Sequence, residues 1–259
     1  MRIVVIGGSG LLGTKLVRLL TAAGHEVVPA SRRSGVDTVT GQGVEAALAG
    51  ADVLVDVSNA PAWGDDEVLA FFRTSTATLL AAGRAAGVRH FVALSIVGID
   101  ELPDSGYLRA KVVQEGLIRE SGLPHTIVRA TQFYEFLEMI ADAGTVDGVV
   151  HASPTALLQP VAADDVAGVL AEIAVTEPQD RTIDLAGPEA LPVSQFLRRA
   201  VDGREVVDDP RAGYFSTALT ERSLVPDDRA RRGGTTFAEW RAGNEGRAGN
   251  EGRAGNEGR

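Results

Sequence analysis

The segment that decides the fold is Gly7-Gly8-Ser9-Gly10-Leu11-Leu12-Gly13. It directly follows the apolar run at residues 2–6 and opens a segment of helical periodicity. In such a loop Gly7 makes the tight turn, Gly10 lets the backbone approach a pyrophosphate, and Gly13 lets the helix pack closely on the strand. The N–H groups and dipole at the helix start favour phosphates. We therefore predict a dinucleotide site, the alternative being a tight turn in an α/β domain without a nucleotide. Its predicted residues are Gly7, Ser9, Gly10, Leu11, Leu12 and Gly13.

Outward from this loop, short apolar runs alternate with amphipathic segments of helical length, which is typical of βαβ units and a parallel sheet. The predicted strands are residues 2–6, 26–30, 53–57, 90–94 and 126–129. The predicted helices are residues 11–23, 44–49, 65–86 and 106–120. Continuous apolar strands fit a sheet with helices on both faces. The sequence predicts a Rossmann-type doubly wound α/β fold.

The second half of the chain is less regular. Helices are predicted at 161–175 and 193–200 and a strand at 182–185, and prolines and glycines interrupt the pattern after Asp202. We predict a nucleotide-binding domain at 1–186, in which 133–160 contribute to the substrate cleft, and a small substrate-side lobe at 187–240. Arg-Ala-Gly-Asn-Glu-Gly occurs three times from Arg241 to Gly258. This composition predicts a low-complexity tail at 241–259 outside the fold.

Composition narrows the function classes. The chain has 259 residues, a net charge of −10 and no cysteine, so thiolate chemistry and disulfides are excluded and nucleic-acid binding is disfavoured. The four histidines show no metal-ligand spacing, and no metal is expected. No targeting segment or membrane span is recognisable, which predicts a cytoplasmic protein with a small-molecule substrate. Monomer and homodimer both stay open.

The cofactor preference is predicted from the end of the second strand. There Ser31-Arg32-Arg33 stands where an NAD-preferring site places a carboxylate for the ribose hydroxyls. A hydroxyl and two guanidiniums suit a 2′-phosphate instead, so NADP(H) is expected over NAD(H), although paired arginines on a loop are commonly solvated surface. The next predicted strand ends where a chain would pass the adenosine side of the cofactor, at Val57, Ser58, Asn59 and Ala60.

The candidate catalytic residues are Ser95, Tyr107 and Lys111. Tyr107 and Lys111 are four apart at the start of a predicted helix and so share a face. Ser95 follows the predicted strand at 90–94, and strand carboxyl ends form the ligand crevice in such sheets. A Tyr-x-x-x-Lys pair also arises by chance on a helix, in which case Tyr107 packs against the sheet.

With these residues the chain resembles the short-chain dehydrogenase/reductase superfamily, and especially its atypical NmrA-like branch. The likeness covers residues 1 to about 240 and includes the glycine loop, the strand ending in Ser95, the segment from Gly122 to Phe133, and the segments at 160–167 and 184–188. It implies that Tyr107 is the general acid, that Lys111 stabilises the phenolate and binds the nicotinamide ribose, and that Ser95 bonds the carbonyl oxygen. It also implies cofactor contacts at Ala130 and Thr131.

One departure from the superfamily concerns the proton relay. Many members carry an asparagine on the long helix after the third predicted strand, whereas residues 72–80 here contain none. Several NmrA-like relatives bind NADPH as sensors. We therefore expect an NADPH-dependent reductase of a carbonyl or related unsaturated group. The alternatives are a redox-sensing regulatory protein without turnover, and an isomerase, epimerase or lyase that uses the nicotinamide transiently.

The substrate side of the predicted cleft is marked by an aromatic cluster just after residue 130. Phe133, Tyr134 and Phe136 are the candidate substrate-binding residues, with Leu137 and Met139 close by in sequence. They form either an apolar wall for a ketone, quinone or imine or a helix face that packs on the core.

Overall fold

The computed structural model describes residues 1–215 and 217–244 of the chain. Its strands are β1 (Arg2–Ile6), β2 (Glu26–Ala30), β3 (Val53–Asp56), β4 (His90–Ile96), β5 (His125–Ala130), β6 (Thr145–Val146), β7 (Val149–Ala152), β8 (Leu157–Leu158), β9 (Arg181–Ala186), β10 (Leu191–Pro192), β11 (Val206–Asp208) and β12 (Arg231–Arg232). Its helices are α1 (Leu11–Ala22), α2 (Val44–Leu48), α3 (Asp65–Ala85), α4 (Gly106–Glu120), α5 (Leu137–Ala143), α6 (Ala163–Ala174) and α7 (Val193–Ala200), with α8 at 237–244.

The central sheet is parallel and has the strand order β12-β9-β5-β4-β3-β1-β2. The chain passes from β1 to β2 on one side and then returns to β3 on the other side of β1. The strand order therefore reverses at β1, and ligands bind beyond the carboxyl ends of parallel strands at such a point. The predicted Rossmann-type fold is confirmed, and the glycine loop lies at the reversal.

Helices cover both faces of this sheet, and strand alternation divides the core between them. Ile3 and Val5 pack with α1 and α6 on one face, while Val4 and Ile6 pack with α2, α3 and α4 on the other. Because β1 is buried on both faces, its residues form one continuous apolar run. This burial fixes the strand from which the glycine loop emerges.

The smaller lobe is built from separated segments. β7 pairs with β6 and β11, and α7 packs beside them. Rings from Tyr134, Phe196, Phe237 and Trp240 form the centre of this lobe. The predicted lobe at 187–240 is interleaved with the main sheet, since β12 joins the sheet beside β9. The lobe also includes segments from 137–160, which the prediction assigned to the first domain.

The predicted tail begins inside α8. Residues 241–244 are helical, and Arg241 donates a hydrogen bond to the carbonyl oxygen of Arg199 at 2.8 Å. The rest of the repeat, 245–259, lies outside the described residues. Within residues 1–215 and 217–244, no helix is both long and apolar enough to cross a membrane.

Candidate active site

A cleft of about 790 Å³ lies beyond the carboxyl ends of the central strands. It receives loops that follow β1, β2, β3, β4 and β5, and one turn from the smaller lobe. Of the predicted site residues, it is lined by Gly7, Ser9, Gly10, Leu11, Leu12, Gly13, Ser31, Arg32, Arg33, Val57, Ser58, Asn59, Ser95, Tyr107, Lys111, Ala130, Thr131, Phe133 and Phe136. The topology thus brings together residues that are far apart in sequence.

The glycine loop has the geometry that its sequence predicts. Gly7 has φ +79°, and its carbonyl oxygen accepts a hydrogen bond from Gly10 N at 2.9 Å. A Cβ atom on Gly13 would lie 2.1 Å from that same oxygen. Because no side chain fits at position 13, helix α1 can begin directly against the turn only with glycine there.

The segment after β2 supplies the exposed cations of the cleft. Arg32 and Arg33 are exposed, and within 1–215 and 217–244 neither guanidinium has a hydrogen bond or ion pair. Residues 37–40 continue this wall, and sequence reasoning missed them. There the Asp37 carboxylate accepts hydrogen bonds from the backbone N–H groups of Val39 and Thr40. Because Asp37 does not pair with Arg32 or Arg33, the two guanidiniums are available to an anion.

Tyr107 lies at the first turn of α4 and is fixed by a residue from the loop after β3. Its hydroxyl donates to Asn59 Oδ1 at 2.8 Å, and its ring packs edge-on against Phe72 with centroids 5.9 Å apart. Burial raises the pKa of Tyr107 to about 12, opposed by the Asn59 hydrogen bond. The phenol is therefore protonated throughout the neutral range.

Ser95 lies in β4, next to Ile96 at the carboxyl end of the strand, and lines the same cleft. Its side chain is almost fully buried, and its hydroxyl has no hydrogen-bond partner in the described part of the chain. An unpaired buried hydroxyl costs about 1–3 kcal/mol, so this group is poised to bond with an oxygen that enters the cleft.

Lys111 is held by the protein interior. Its ammonium donates to the carbonyl oxygen of Leu94 at 2.8 Å and contacts Gln114 Oε1. Gln114 Nε2 donates in turn to Asp56 Oδ2 at 3.1 Å. Burial lowers the pKa of Lys111 to about 8, opposed by the charge of Asp56. Asp56 and Gln114 were not predicted as site residues, because the sequence pattern around each indicates only a strand or a helix.

Lys111 was expected to stabilise the phenolate of Tyr107, and this role stays a prediction. Burial, the largest influence on the pKa of Tyr107, raises it. Within the described residues Tyr107 and Lys111 share no hydrogen bond, since each is bonded elsewhere. The four-residue spacing brings both side chains to the cleft, but the buried network around Asp56 holds the ammonium.

The aromatic cluster after β5 divides between the cleft and the core. Phe133 and Phe136 stack with centroids 5.6 Å apart and line the cleft with Met139. Tyr134 does not, which corrects its assignment to the substrate. It is 1% exposed and packs in the smaller lobe, where its hydroxyl donates to the carbonyl oxygen of Thr235 at 3.2 Å. A 3-10 turn begins at Tyr134. Because such a turn has about three residues per turn, Phe133 and Phe136 lie on one side and Tyr134 on another.

Other cleft residues were not found from the sequence. Ala60 does not line the cleft although it was predicted, and Pro61 does. Gln132 lines it immediately after Thr131, and Tyr214 reaches it from the smaller lobe. Nothing in the sequence around Tyr214 indicated this placement, because that segment has no regular periodicity. Within 1–215 and 217–244 no His, Asp or Glu side chains are grouped as a metal site.

Comparison with known proteins gives a consistent picture. A family model described as NAD(P)H-binding matches residues 7–177. A (4-alkanoyl-5-oxo-2,5-dihydrofuran-3-yl)methyl phosphate reductase from Streptomyces griseus is 32% identical over 261 residues, which cover 89% of this chain and 88% of that protein. An NAD(P)H azoreductase from Xenophilus azovorans is 29% identical over 208 residues, covering 73% of this chain and 69% of the relative.

Among solved structures, the fold is similar to a short-chain dehydrogenase/reductase superfamily protein from Agrobacterium tumefaciens with bound NAD. The TM-score is 0.71 at 18% sequence identity, covering 98% of this chain and 100% of that chain. At this identity the likeness concerns the fold. It extends over the smaller lobe as well as the sheet.

Proposed function

We propose that this chain, which belongs to the NAD(P)H-binding family and resembles the short-chain dehydrogenases/reductases in fold, is an NADPH-dependent reductase of a carbonyl or related unsaturated group, with Tyr107 as the proton donor. The general assignment as an NAD(P)H-dependent oxidoreductase agrees with the reductase names of its relatives. The more specific proposal of an NADPH-dependent reductase with Tyr107 as proton donor rests on one observation. The glycine loop, the unpaired Ser95 hydroxyl and the Tyr107 phenol line the same cleft.

The residues present fit a dinucleotide with a 2′-phosphate. A Cβ atom at position 13 would clash with the turn at Gly7, so glycine there lets α1 begin directly against the loop. The loop lines the cleft at the start of this helix, where N–H groups and the helix dipole favour phosphates. Arg32 and Arg33 would hold the 2′-phosphate by charge-assisted hydrogen bonds. When bound, the nicotinamide supplies a hydride.

The protein's own residues handle the proton. Reduction of a carbonyl delivers two electrons to carbon with the hydride and leaves an oxygen that needs one proton. Ser95 donates a hydrogen bond to that oxygen as charge develops there. The O–H bond of Tyr107 then breaks, the new O–H bond forms on the substrate, and the partly exposed phenol regains its proton from solvent.

Burial raises the pKa of Tyr107 to about 12, so at neutral pH the phenol is in the protonated form that donates to an alkoxide. Asn59 positions this hydroxyl at the start of α4. The superfamily's helix asparagine has no counterpart in residues 72–80.

The test removes a single oxygen. Tyr107→Phe keeps the ring that packs on Phe72, so NADPH affinity should stay within a few-fold while turnover falls by roughly 100- to 10,000-fold, the span typical of a positioned acid. The measurement is NADPH oxidation with a panel of ketones, quinones and imines, together with NADPH binding by fluorescence. Tyr134→Phe is the matched control, because that phenol lies in the core of the smaller lobe, and it should leave turnover unchanged.

A substrate that Tyr107→Phe reduces at the original rate shows that the proton-donor assignment is wrong. The second candidate is a sensor that binds NADPH without turnover. It is favoured by the hydrogen bond that engages the Tyr107 hydroxyl with Asn59, and by the burial of Lys111 away from that hydroxyl. For a sensor, NADPH binds and no compound of the panel is reduced by either protein.

A further inference from the structure

The substrate end of the cleft contains a second polar group that the proton transfer does not use. Gln132 is only 7% exposed and lines the cleft. Neither its amide nitrogen nor its amide oxygen has a hydrogen-bond partner in the described part of the chain. Buried amides are almost always paired, so this one indicates a ligand that completes it.

The backbone around Gln132 is rigid, which fixes where the amide can reach. Its carbonyl oxygen accepts from Val161 N at 2.8 Å, and the preceding Thr131 is bonded through its N–H to Leu185 and through its hydroxyl to Gln159. The side chain cannot find a partner by moving its main chain. The missing partner has to come into the cleft.

Tyr214 lies beside this amide. It projects from a tight turn of the smaller lobe, in which its N–H donates to the carbonyl oxygen of Thr217 at 2.8 Å and the reciprocal bond is 3.0 Å. Burial raises the pKa of Tyr214, and the nearby Gln132 amide opposes this without making a hydrogen bond of normal geometry to the phenol. Gln132, Tyr214 and Tyr107 line the same cleft.

Among the described residues, the cations that line the cleft are Arg32 and Arg33, which follow β2, and the buried Lys111. The uncharged side chains of Phe71, Phe136 and Met139 line its walls. An anionic substrate group would lose hydration here without gaining a partner. A flat, uncharged molecule with an internal hydrogen-bonding group fits both the rings and the amide.

We propose that Gln132, with Tyr214 beside it, is a specificity-determining anchor for an uncharged hydrogen-bonding group of the substrate, separate from the carbonyl that is reduced at Ser95 and Tyr107. This rests on the proposed function for the identity of the reacting carbonyl. An amide side chain both donates and accepts, so its best complement is a group that does the same, such as a carboxamide. The anchor selects substrates that carry two polar groups on one apolar frame.

The experiment compares acetophenone, 4-acetylbenzamide and 4-acetylbenzoate, which share the reacting ketone and differ at the far end of the ring. For the unmodified protein, kcat/KM should be roughly tenfold higher for the benzamide than for acetophenone, the value of one buried hydrogen bond, and lowest for the benzoate. Gln132→Leu should abolish the preference through KM, so that kcat/KM for the benzamide falls to that for acetophenone measured with the same variant. The intrinsic reactivity of each ketone cancels in this comparison.

Thermal unfolding gives a readout independent of turnover. With NADP⁺ present, 4-acetylbenzamide should raise the Tm of the unmodified protein and of Tyr107→Phe, but not that of Gln132→Leu. Without ligand, Gln132→Leu should keep or raise the Tm, since it removes an unpaired buried amide. Gln159→Leu is the matched control: its amide donates to the carbonyl oxygen of Gly187 at 2.8 Å outside the cleft, so it should lower the Tm without altering selectivity.

The two proposals fail separately. If Tyr107→Phe stays fully active, the proton donor is wrong, while the effect of Gln132→Leu on selectivity still reports on the anchor. The anchor is overturned if the benzamide neither reacts better nor stabilises more than acetophenone, or if Gln132→Leu keeps the preference. It is also overturned if Gln132→Leu weakens NADPH binding itself, because the amide then serves the cofactor.

Discussion

The two ends of the cleft are built in different ways. The cofactor end consists of consecutive residues whose backbone forms the site, from Gly7 to Gly13, with Arg32 and Arg33 immediately after the neighbouring strand. The substrate end consists of side chains from separate elements. They are Ser95, Tyr107, Gln132 and Tyr214. Asn59, which was predicted on the adenosine side, is bonded to the Tyr107 hydroxyl at this end.

The ends also differ in how well their polar groups are satisfied. At the cofactor end the turn is closed by backbone hydrogen bonds, from Gly10 N to Gly7 O and from Gly7 N to the carbonyl oxygen of Ala30. At the substrate end the Ser95 hydroxyl and the Gln132 amide are unpaired among the described residues, and the Lys111 ammonium is buried. The first end is stable without a ligand, and the second carries a cost in stability that a substrate can relieve.

Changes at the cofactor end should therefore act through shape. Gly13→Ala places a methyl group 2.1 Å from the Gly7 carbonyl oxygen. We expect NADPH affinity to fall about 100-fold or more, or about 2.7 kcal/mol, and the free energy of unfolding to fall by about 1–3 kcal/mol as in other overpacked sites. Isothermal titration calorimetry and urea unfolding measure the two effects.

Gly168→Ala is the control for Gly13→Ala. Gly168 also lies inside a helix, α6, but a Cβ atom there would meet no atom within 4 Å. This substitution should stabilise the protein by roughly 0.5–1 kcal/mol and leave NADPH affinity unchanged. Equal affinities for the two alanine variants would show that the close packing at position 13 does not shape the site.

Arg32 and Arg33 test whether charge at the cofactor end sets the choice of dinucleotide. Arg32→Ala combined with Arg33→Ala should remove most of a preference for NADPH over NADH that we expect to be at least about tenfold, or 1.4 kcal/mol, because the 2′-phosphate loses its guanidiniums. NADH affinity should barely change. Arg73→Ala, an exposed arginine on α3 that does not line the cleft, is the control. Equal affinity of the unmodified protein for both dinucleotides would contradict the assignment.

The smallest effect concerns the charge buried at the substrate end. Burial lowers the pKa of Lys111 from 10.5 to about 8, so between these values the unfolded chain binds a proton that the folded chain does not. Stability should rise with pH across this window, by a few degrees in Tm, relative to Lys111→Met. Differential scanning calorimetry at pH 7.5 and 10 gives the difference. Identical pH dependence in the two proteins would mean that the ammonium is not buried at a cost.

The same division explains what could be predicted from the sequence. The glycine loop and the longer strands and helices follow from local periodicity and turn chemistry, and the boundaries of the predicted elements differ from the observed ones by two residues at most. Helices α5 and α8 and the short strands β6, β7, β8, β10, β11 and β12 were not predicted. Ser95 and Tyr107 were predicted because each lies at the end of an element with a clear pattern, and a resemblance gave their roles, which await test.

The remaining site residues depend on tertiary contacts. Tyr134 and Phe136 are two residues apart in a 3-10 turn and face different environments, which no periodicity could separate. Gln132 stands out only because its amide is buried without a partner, and Tyr214 only because its turn reaches the cleft. The position of Lys111 depends on Asp56 and Gln114, whose buried network has no signature in the sequence.

The chain contains only two lysines, Lys15 and Lys111, and the second is 4% exposed beneath the site. An amine-reactive acylating reagent should therefore react with it slowly. Lys15, whose side chain is 17% exposed, reacts in the same molecule and serves as an internal reference. The ratio of the two acylation rates, read by mass spectrometry, thus measures how often the Lys111 ammonium becomes accessible in the native protein.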